Sequence, residues 1–239
     1  MTDIRRTVDA VWRIESARIV ATLAKMTGDV GLAEDLAQEA LVDALTQWPR
    51  DGVPQNAGAW LTAVAKRKAI DGWRRRQRLD DRYRAMAHSL SETSDDEWQP
   101  IDDDVVRLVF TACHPVLSRE SQVALTLRVV AGLTTEEIAR LLLVPVATVQ
   151  QRIVRAKKTL SAAHVPFKSP DPNEWASRLG AVLGVVYLVF TEGYSATSGE
   201  RWMRTELASE AVRLGRVLAG LLPREPEVHG LLALMELQA

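Results

Sequence analysis

Between Leu117 and Leu160 the chain reads LSRESQVALTLRVVAGLTTEEIARLLLVPVATVQQRIVRAKKTL, three helical periods in succession with room only for short turns between them. Ser118 is placed to cap a helix whose Val123, Leu127 and Val130 recur at three- and four-residue steps until Gly132 ends it. Thr134 or Thr135 caps the next, TTEEIARLLL, with Glu136 and Glu137 in the first turn, where the helix dipole favours acids. Pro145 suits the first turn of a third helix, whose Val149, Ile153, Ala156 and Leu160 share one face that must turn inward. The pattern predicts a helix followed by a helix-turn-helix. At roughly 100° per residue the outer face of the last helix carries Ala147, Thr148, Gln151, Val154, Arg155 and Lys158. An ordinary solvated helix mixes its charges. Here no acid stands between Glu137 and Asp171, while Arg140, Arg152, Arg155, Lys157, Lys158 and Lys168 do, the asymmetry expected of a surface that faces phosphates in a major groove.

The rest of the chain is helical in the same way, and the expected fold class is all-α. Its 239 residues, 47% hydrophobic and 26% charged, suit one to three globular modules, and the net charge of -1 hides strong local asymmetry. The longest apolar run, Ala181 to Phe190, is too short to span a bilayer, and the start, MTDIRRTVDA, lacks a signal-peptide core, so a cytoplasmic chain with no membrane partner is expected. A single cysteine excludes an internal disulfide and a multi-cysteine zinc site. Cys113-His114, ahead of Pro115, reads as packing and capping rather than as a metal or thiol site. No carboxylate pair, Ser-His-Asp set, glycine-rich phosphate loop or metal spacing stands out, so neither an enzyme nor a cofactor is expected.

Nearer the start, Val8, Val11, Trp12, Ile19 and Leu23 define an amphipathic helix from Ile4 to Met26 that stops at Thr27-Gly28. Asp29 can cap the next, GLAEDLAQEALVDALTQW, in which Ala33, Ala37, Ala40 and Ala44 form a core stripe widened by Leu36, Leu41 and Leu45. Its other side, Glu34, Asp35, Gln38, Glu39 and Asp43, reads as a solvated acidic face. After the turn formers RDGVPQNAG, Asn56 is placed to cap AGAWLTAVAKRKAIDGWRRRQR, which buries Leu61, Val64 and Ala65. Trp60, Arg67, Arg74 and Arg78 share the opposite stripe, and from Lys66 to Arg84 nine basic residues meet three acids. A basic ridge with aromatics neutralises phosphates and offers stacking to unpaired bases; Trp60 and Trp73 as boundary residues of the core is the equal alternative.

Taken together, AEDLAQEALVDAL, AWLTAVAKRKAIDGWRRR, GLTTEEIA and ATVQQRIVRAKKTL resemble regions 2 and 4 of the extracytoplasmic-function class of bacterial RNA polymerase sigma factors, in the right order. The resemblance implies an alternative sigma factor whose partners are core RNA polymerase and promoter DNA. By position, Asp35, Leu36, Gln38 and Glu39 would meet the polymerase clamp. Asn56 would lie in the loop that holds a flipped-out base of the −10 element, with Trp60, Lys66, Arg67, Arg74 and Arg75 along the melted DNA. Gln150, Gln151, Arg152 and Arg155 would read or position the −35 element. The family turn commonly has Gly where Leu143 stands, so a different backbone is expected there. A free-standing helix-turn-helix regulator is the alternative reading, and the region 2 match discriminates against it.

The modules are expected at residues 1–80 (region 2) and 105–165 (region 4), joined by an acidic linker over 81–104. From Glu92 to Asp104 that linker holds seven acids and no Lys or Arg. After SPDPN, residues 170–239 form a helical C-terminal extension resembling that of a subgroup of these sigma factors, with nine acids and six arginines beyond Lys168. Leu179, Val182, Leu183, Val186 and Tyr187 give it an apolar face expected to dock within the chain or on a regulatory partner. The last stretch, GLLALMELQA, stops without a cap or polar end, the pattern of a truncated chain.

Overall fold

The computed structural model describes residues 2–79, 104–170, 172–194 and 201–239, and among them the fold is all-α with no strand. The acidic linker expected over 81–104 lies outside the described residues except for Asp104. The helices are α1 (Thr2–Thr27), α2 (Val30–Asp51), α3 (Ala57–Leu79), α4 (Asp104–Ala112), α5 (Arg119–Val129), α6 (Thr135–Leu142), α7 (Val146–Ala162), α8 (Pro172–Tyr194), α9 (Arg201–Leu221) and α10 (Pro226–Gln238).

Local chemistry accounts for where they start. Gly28, at a φ of 69°, ends α1, and the Asp29 side chain accepts from the Leu32 amide at 2.9 Å to begin α2. The alanine stripe Ala33, Ala37, Ala40 and Ala44 has no exposed surface, and small side chains let α1 and α2 lie close together. Leu45, expected to widen that stripe, is instead exposed. The helix runs on through Pro49, near its C-terminal end, to Asp51. Asn56 accepts from the Ala59 amide at 2.9 Å and begins α3, which buries Leu61, Ala65 and Ala69 at four-residue steps; Val64 is only half-buried.

Every residue of α4 after its half-buried first is buried, as expected of a helix enclosed on all sides. It packs on α1 and on α5, and so forms the hub between the N-terminal helices and the helix-turn-helix. Ser118 caps α5. Thr134 forms a full capping box with Glu137: the Glu137 amide donates to Thr134 Oγ1 at 3.2 Å and the Thr134 amide donates to Glu137 Oε2 at 2.8 Å. Between α5 and α6, Gly132 has a φ of 65°, and a Cβ there would stand 2.5 Å from Ser16 Oγ of α1. Only glycine admits that approach of the two modules. Pro145 occupies the cap position of α7 rather than its first turn.

The turn before α7 corrects the expectation of a different backbone. Leu143 takes the left-handed conformation itself, φ 54° and ψ 41°, with its side chain 91% exposed. The strain of roughly 1–2 kcal/mol for an L-residue there is partly offset, because glycine would bring about 0.5–1 kcal/mol more unfolded-state freedom. Leu143→Gly is therefore expected to stabilise the chain by about 0.5–1 kcal/mol. A urea midpoint that falls on this substitution would contradict it.

In the C-terminal region, Leu179, Val182, Val185, Val186, Val189 and Phe190 of α8 are buried, as are Ala211, Val212, Leu214 and Leu218 of α9, which packs on α8. Of the five residues assigned to the apolar face, Leu183 is half-buried and Tyr187 exposed. Gly215 lets α10 settle on α9: a Cβ there would meet Met235 Cε at 2.7 Å. Helix α8 also touches α4 and α5, and α9 touches α1 and α4. No helix among the described residues is long and apolar enough to cross a membrane.

Candidate nucleic-acid interface

Helix α7 divides cleanly. Val149, Ile153, Ala156 and Leu160 are buried against the module, while Ala147, Gln150, Gln151, Val154, Arg155 and Lys158 are exposed. The exposed face thus holds amide, guanidinium and ammonium donors plus the apolar Val154, and α7 itself contains no acid. Arg152 sits at the flank, half-buried. Its charge reaches Glu120, whose carboxyl is held below its ordinary range first by a hydrogen bond to its own backbone amide and then by Ser118 and this arginine.

One residue of the expected phosphate-facing set is turned elsewhere. Lys157 leaves the α7 surface and donates to both Glu34 and Asp35 of α2, reaching Asp35 Oδ1 at 2.8 Å. Burial works against the Lys157 ammonium, but the facing Glu34 and Asp35 carboxylates outweigh it and raise its pKa above the ordinary lysine value. Glu34, read as solvated, is buried, because Arg128 Nε of α5 also donates to it at 3.0 Å and satisfies the carboxylate that burial would otherwise leave bare.

On α3, Lys66, Arg67 and Arg74 are exposed along one ridge, and the side chain of Arg75 lies outside the described residues. Asn56 is exposed with its carbonyl oxygen engaged as the cap. Trp60 is half-buried, its ring edge-to-face with Trp48 at 5.5 Å between centroids and 65° between planes. Trp73, on the same helix, is 45% exposed beside the exposed Ile70 and Arg74. It offers more free aromatic surface than Trp60, a ranking the sequence stripe did not supply.

The residues assigned to polymerase separate into surface and core. Asp35 and Glu39 are exposed, Gln38 is half-buried, and Leu36 is 7% exposed. Leu36 packs in the core in this arrangement, as the apolar stripe predicts: one helical turn from Ala33 and Ala40, it lies on the inward edge of the alanine stripe. Lys68 of α3 lies 3.0 Å from Asp43 and 3.5 Å from Glu39, joining α3 to the acidic side of α2. Its pKa is raised, chiefly by the hydrogen bond to Asp43.

Cys113 is enclosed, its sulfur 3.6 Å from Thr126 Oγ1, and burial pushes its thiol up to about 12. His114 Nδ1 accepts from the Val116 amide at 3.1 Å. Burial and the nearby Arg178 of α8 hold its pKa below the ordinary histidine value. The pair packs and caps.

Comparison with known proteins adds three family matches in chain order: sigma-70 region 2 over residues 13–79, sigma-70 region 4 over 107–160, and a family of unknown function, DUF6596, over 178–239. An uncharacterized protein of Rhizobium meliloti (strain 1021) is 42% identical over 222 residues, 88% of this chain and 51% of that protein. A probable ECF RNA polymerase sigma factor, SigI of Mycobacterium tuberculosis, is 29% identical over 66% of this chain and 56% of its own length. The chain thus spans about half the length of these two relatives. The ECF RNA polymerase sigma factor SigC of Mycobacterium tuberculosis is 30% identical over 68% of this chain and 82% of its own. No solved structure matches. With an acid-free exposed face on α7, a basic ridge on α3, and region 2 and region 4 both matched in order, the chain belongs to the extracytoplasmic-function sigma factors of the sigma-70 family.

Proposed function

We propose that the chain is an alternative sigma factor that binds core RNA polymerase in the cytoplasm and directs initiation at promoters with distinct −35 and −10 elements. The observation that carries this is the conjunction, on one chain, of an exposed basic and amide-bearing α7 face with a separate basic ridge on α3. In this reading Gln150, Gln151 and Arg155 read −35 bases and Arg152 positions the backbone. Asn56, Trp60, Lys66, Arg67, Arg74 and Arg75 engage the opened −10 strand, and Asp35, Gln38 and Glu39 meet the polymerase. Residues 1–80 and 105–165 form the two sigma modules, joined by the acidic linker. The role is one of binding and positioning, and no catalytic step is assigned to the chain.

Residues 170–239 are proposed to support or regulate those modules by docking on them. Arg178 supports this reading: it is buried beside the Cys113-His114 corner with Glu174 as its ion-pair partner. The test is reconstitution of the purified chain with core polymerase, followed by genomic mapping of transcript starts. New starts sharing −35 and −10 sequences are expected, and truncation after Lys168 is expected to change their yield strongly. Tight specific binding to duplex DNA without polymerase, together with no transcription in its presence, would overturn the proposal in favour of a free-standing regulator.

A further inference from the structure

Helix α3 carries two tryptophans at the rims of one basic ridge, and the fold treats them differently. Trp60 is half-buried, its ring held edge-to-face against the enclosed Trp48, so it serves as the edge of the core. Trp73 is 45% exposed, and Ile70, one turn before it on the same side of the helix, is 41% exposed. A ring and a branched aliphatic adjoining in water, rimmed by polar side chains, are a small contact surface. Their cover comes from a partner.

The surrounding charges say which kind. Lys66, Arg67 and Arg74 stand exposed along the same ridge, while Asp71, two residues before Trp73 and so about 200° around the helix, lies on the other side. Cations set beside a free ring match phosphates set beside bases. Position narrows this further. At 1.5 Å per residue, Trp73 stands roughly 25 Å along α3 from Asn56, about seven base steps of 3.4 Å each. Trp73 therefore meets a different part of the DNA from the flipped-out base assigned to the Asn56 loop. Because the chain runs on from α3 toward the module assigned to the −35 element, the Trp73 end of the helix is the upstream end, where melted DNA returns to duplex.

We infer that Trp73 stacks on the last intact base pair at the upstream edge of the melted segment and so fixes where the bubble stops. The inference rests on the sigma-factor reading. Opening a duplex uncovers one face of the last pair, which loses its stacking neighbour. An indole laid on that face replaces the neighbour, with Lys66 and Arg74 placed for the flanking phosphates. Closed duplex presents no such face, so the contact favours the open state over the closed one. It carries little sequence information, since every base presents a π face. Trp60, committed to Trp48, is not free to do the same.

Fork-junction DNA tests this contact. Holoenzyme assembled from the full chain and core polymerase is bound to templates that are duplex upstream, including the −35 element, and single-stranded over the −10 element, with the junction moved one base pair at a time. Wild type is expected to bind best at one junction position. Trp73→Ala is expected to lose about tenfold there, the scale of one base–aromatic stack, with little change on the −35 duplex alone or on the single-stranded −10 oligonucleotide. Trp73→Phe should keep most of the preference, and Trp73→Leu should lose it as alanine does. Fork binding by Trp73→Ala equal to wild type, or wild-type binding that ignores the junction position, would overturn the inference. Rescue by leucine would overturn it too, since it would mean that the site takes apolar cover of any shape. A lower affinity of Trp73→Ala for core polymerase itself would assign the ring to a protein partner instead. Wild-type holoenzyme that binds no fork template at all would remove the sigma-factor reading, and this contact with it.

Discussion

Trp48→Ala is expected to destabilise the chain by more than about 2 kcal/mol, the largest loss foreseen for any single side chain of the region 2 module. Trp48 is 1% exposed at the end of α2, enclosed by its neighbours and edge-to-face with Trp60. Truncating a buried tryptophan typically costs about 3–5 kcal/mol, from the lost transfer energy and from the cavity left behind. One term runs the other way. The Trp48 indole N–H is buried without a hydrogen-bond partner, so its removal returns about 1 kcal/mol of desolvation cost. The balance remains strongly unfavourable. The effect should extend to the DNA side, because Trp60 loses its ring partner and the start of α3 loses a support, lowering promoter opening more than −35 binding. Urea unfolding measures the first part and permanganate footprinting of open complexes the second. Trp73→Ala, at a half-exposed position, is the control and should leave stability within about 0.5 kcal/mol. A Trp48→Ala loss no greater than that of Trp73→Ala would contradict the packing described here.

Gln151→Ala is expected to cost about 1–3 kcal/mol at a single base position of the −35 element, a factor of roughly 5 to 150, and to relax preference there. Gln151 stands on the exposed face of α7, and its amide can pair with both the N6 and N7 of an adenine. Arg152→Ala should behave differently, weakening all promoters to a similar extent, because a flank guanidinium meets phosphates that carry no sequence. A randomised −35 library selected with the reconstituted holoenzyme separates the two. Unchanged base preferences for Gln151→Ala would assign the readout to Gln150 or Arg155 instead.

Much of this molecule was legible in its sequence because it depends on neighbours within one helical turn. The cap at Asp29, a cap at Thr134 or Thr135, and the buried face of Val149, Ile153, Ala156 and Leu160 are local matters of hydrogen-bond reach and 3.6-residue periodicity, and stand as expected, with the folded chain selecting Thr134 and pairing it with Glu137. The all-α class followed from the same rules. Leu143 marks the edge of that legibility: an unfavoured residue was visible, but only the folded turn showed that the left-handed backbone is kept and the strain tolerated.

Which face meets which partner is a different kind of fact. Periodicity predicted that Glu34 and Lys157 each lie on polar faces, and both were read as solvent-facing or DNA-facing. They are 123 residues apart in sequence, and nothing near either one announces the other. Their pairing exists because α4 brings two separately capped modules together, Gly31 and Gly132 admit the close approach, and a carboxylate removed from water at that junction must find cations. The same reason turned Leu45 out of the core and set the Trp60 ring edge-to-face with Trp48. A single amphipathic stripe states how much apolar surface must be covered; its boundaries, and the charges taken down with it, are decided by the shape of the helix that arrives to cover it.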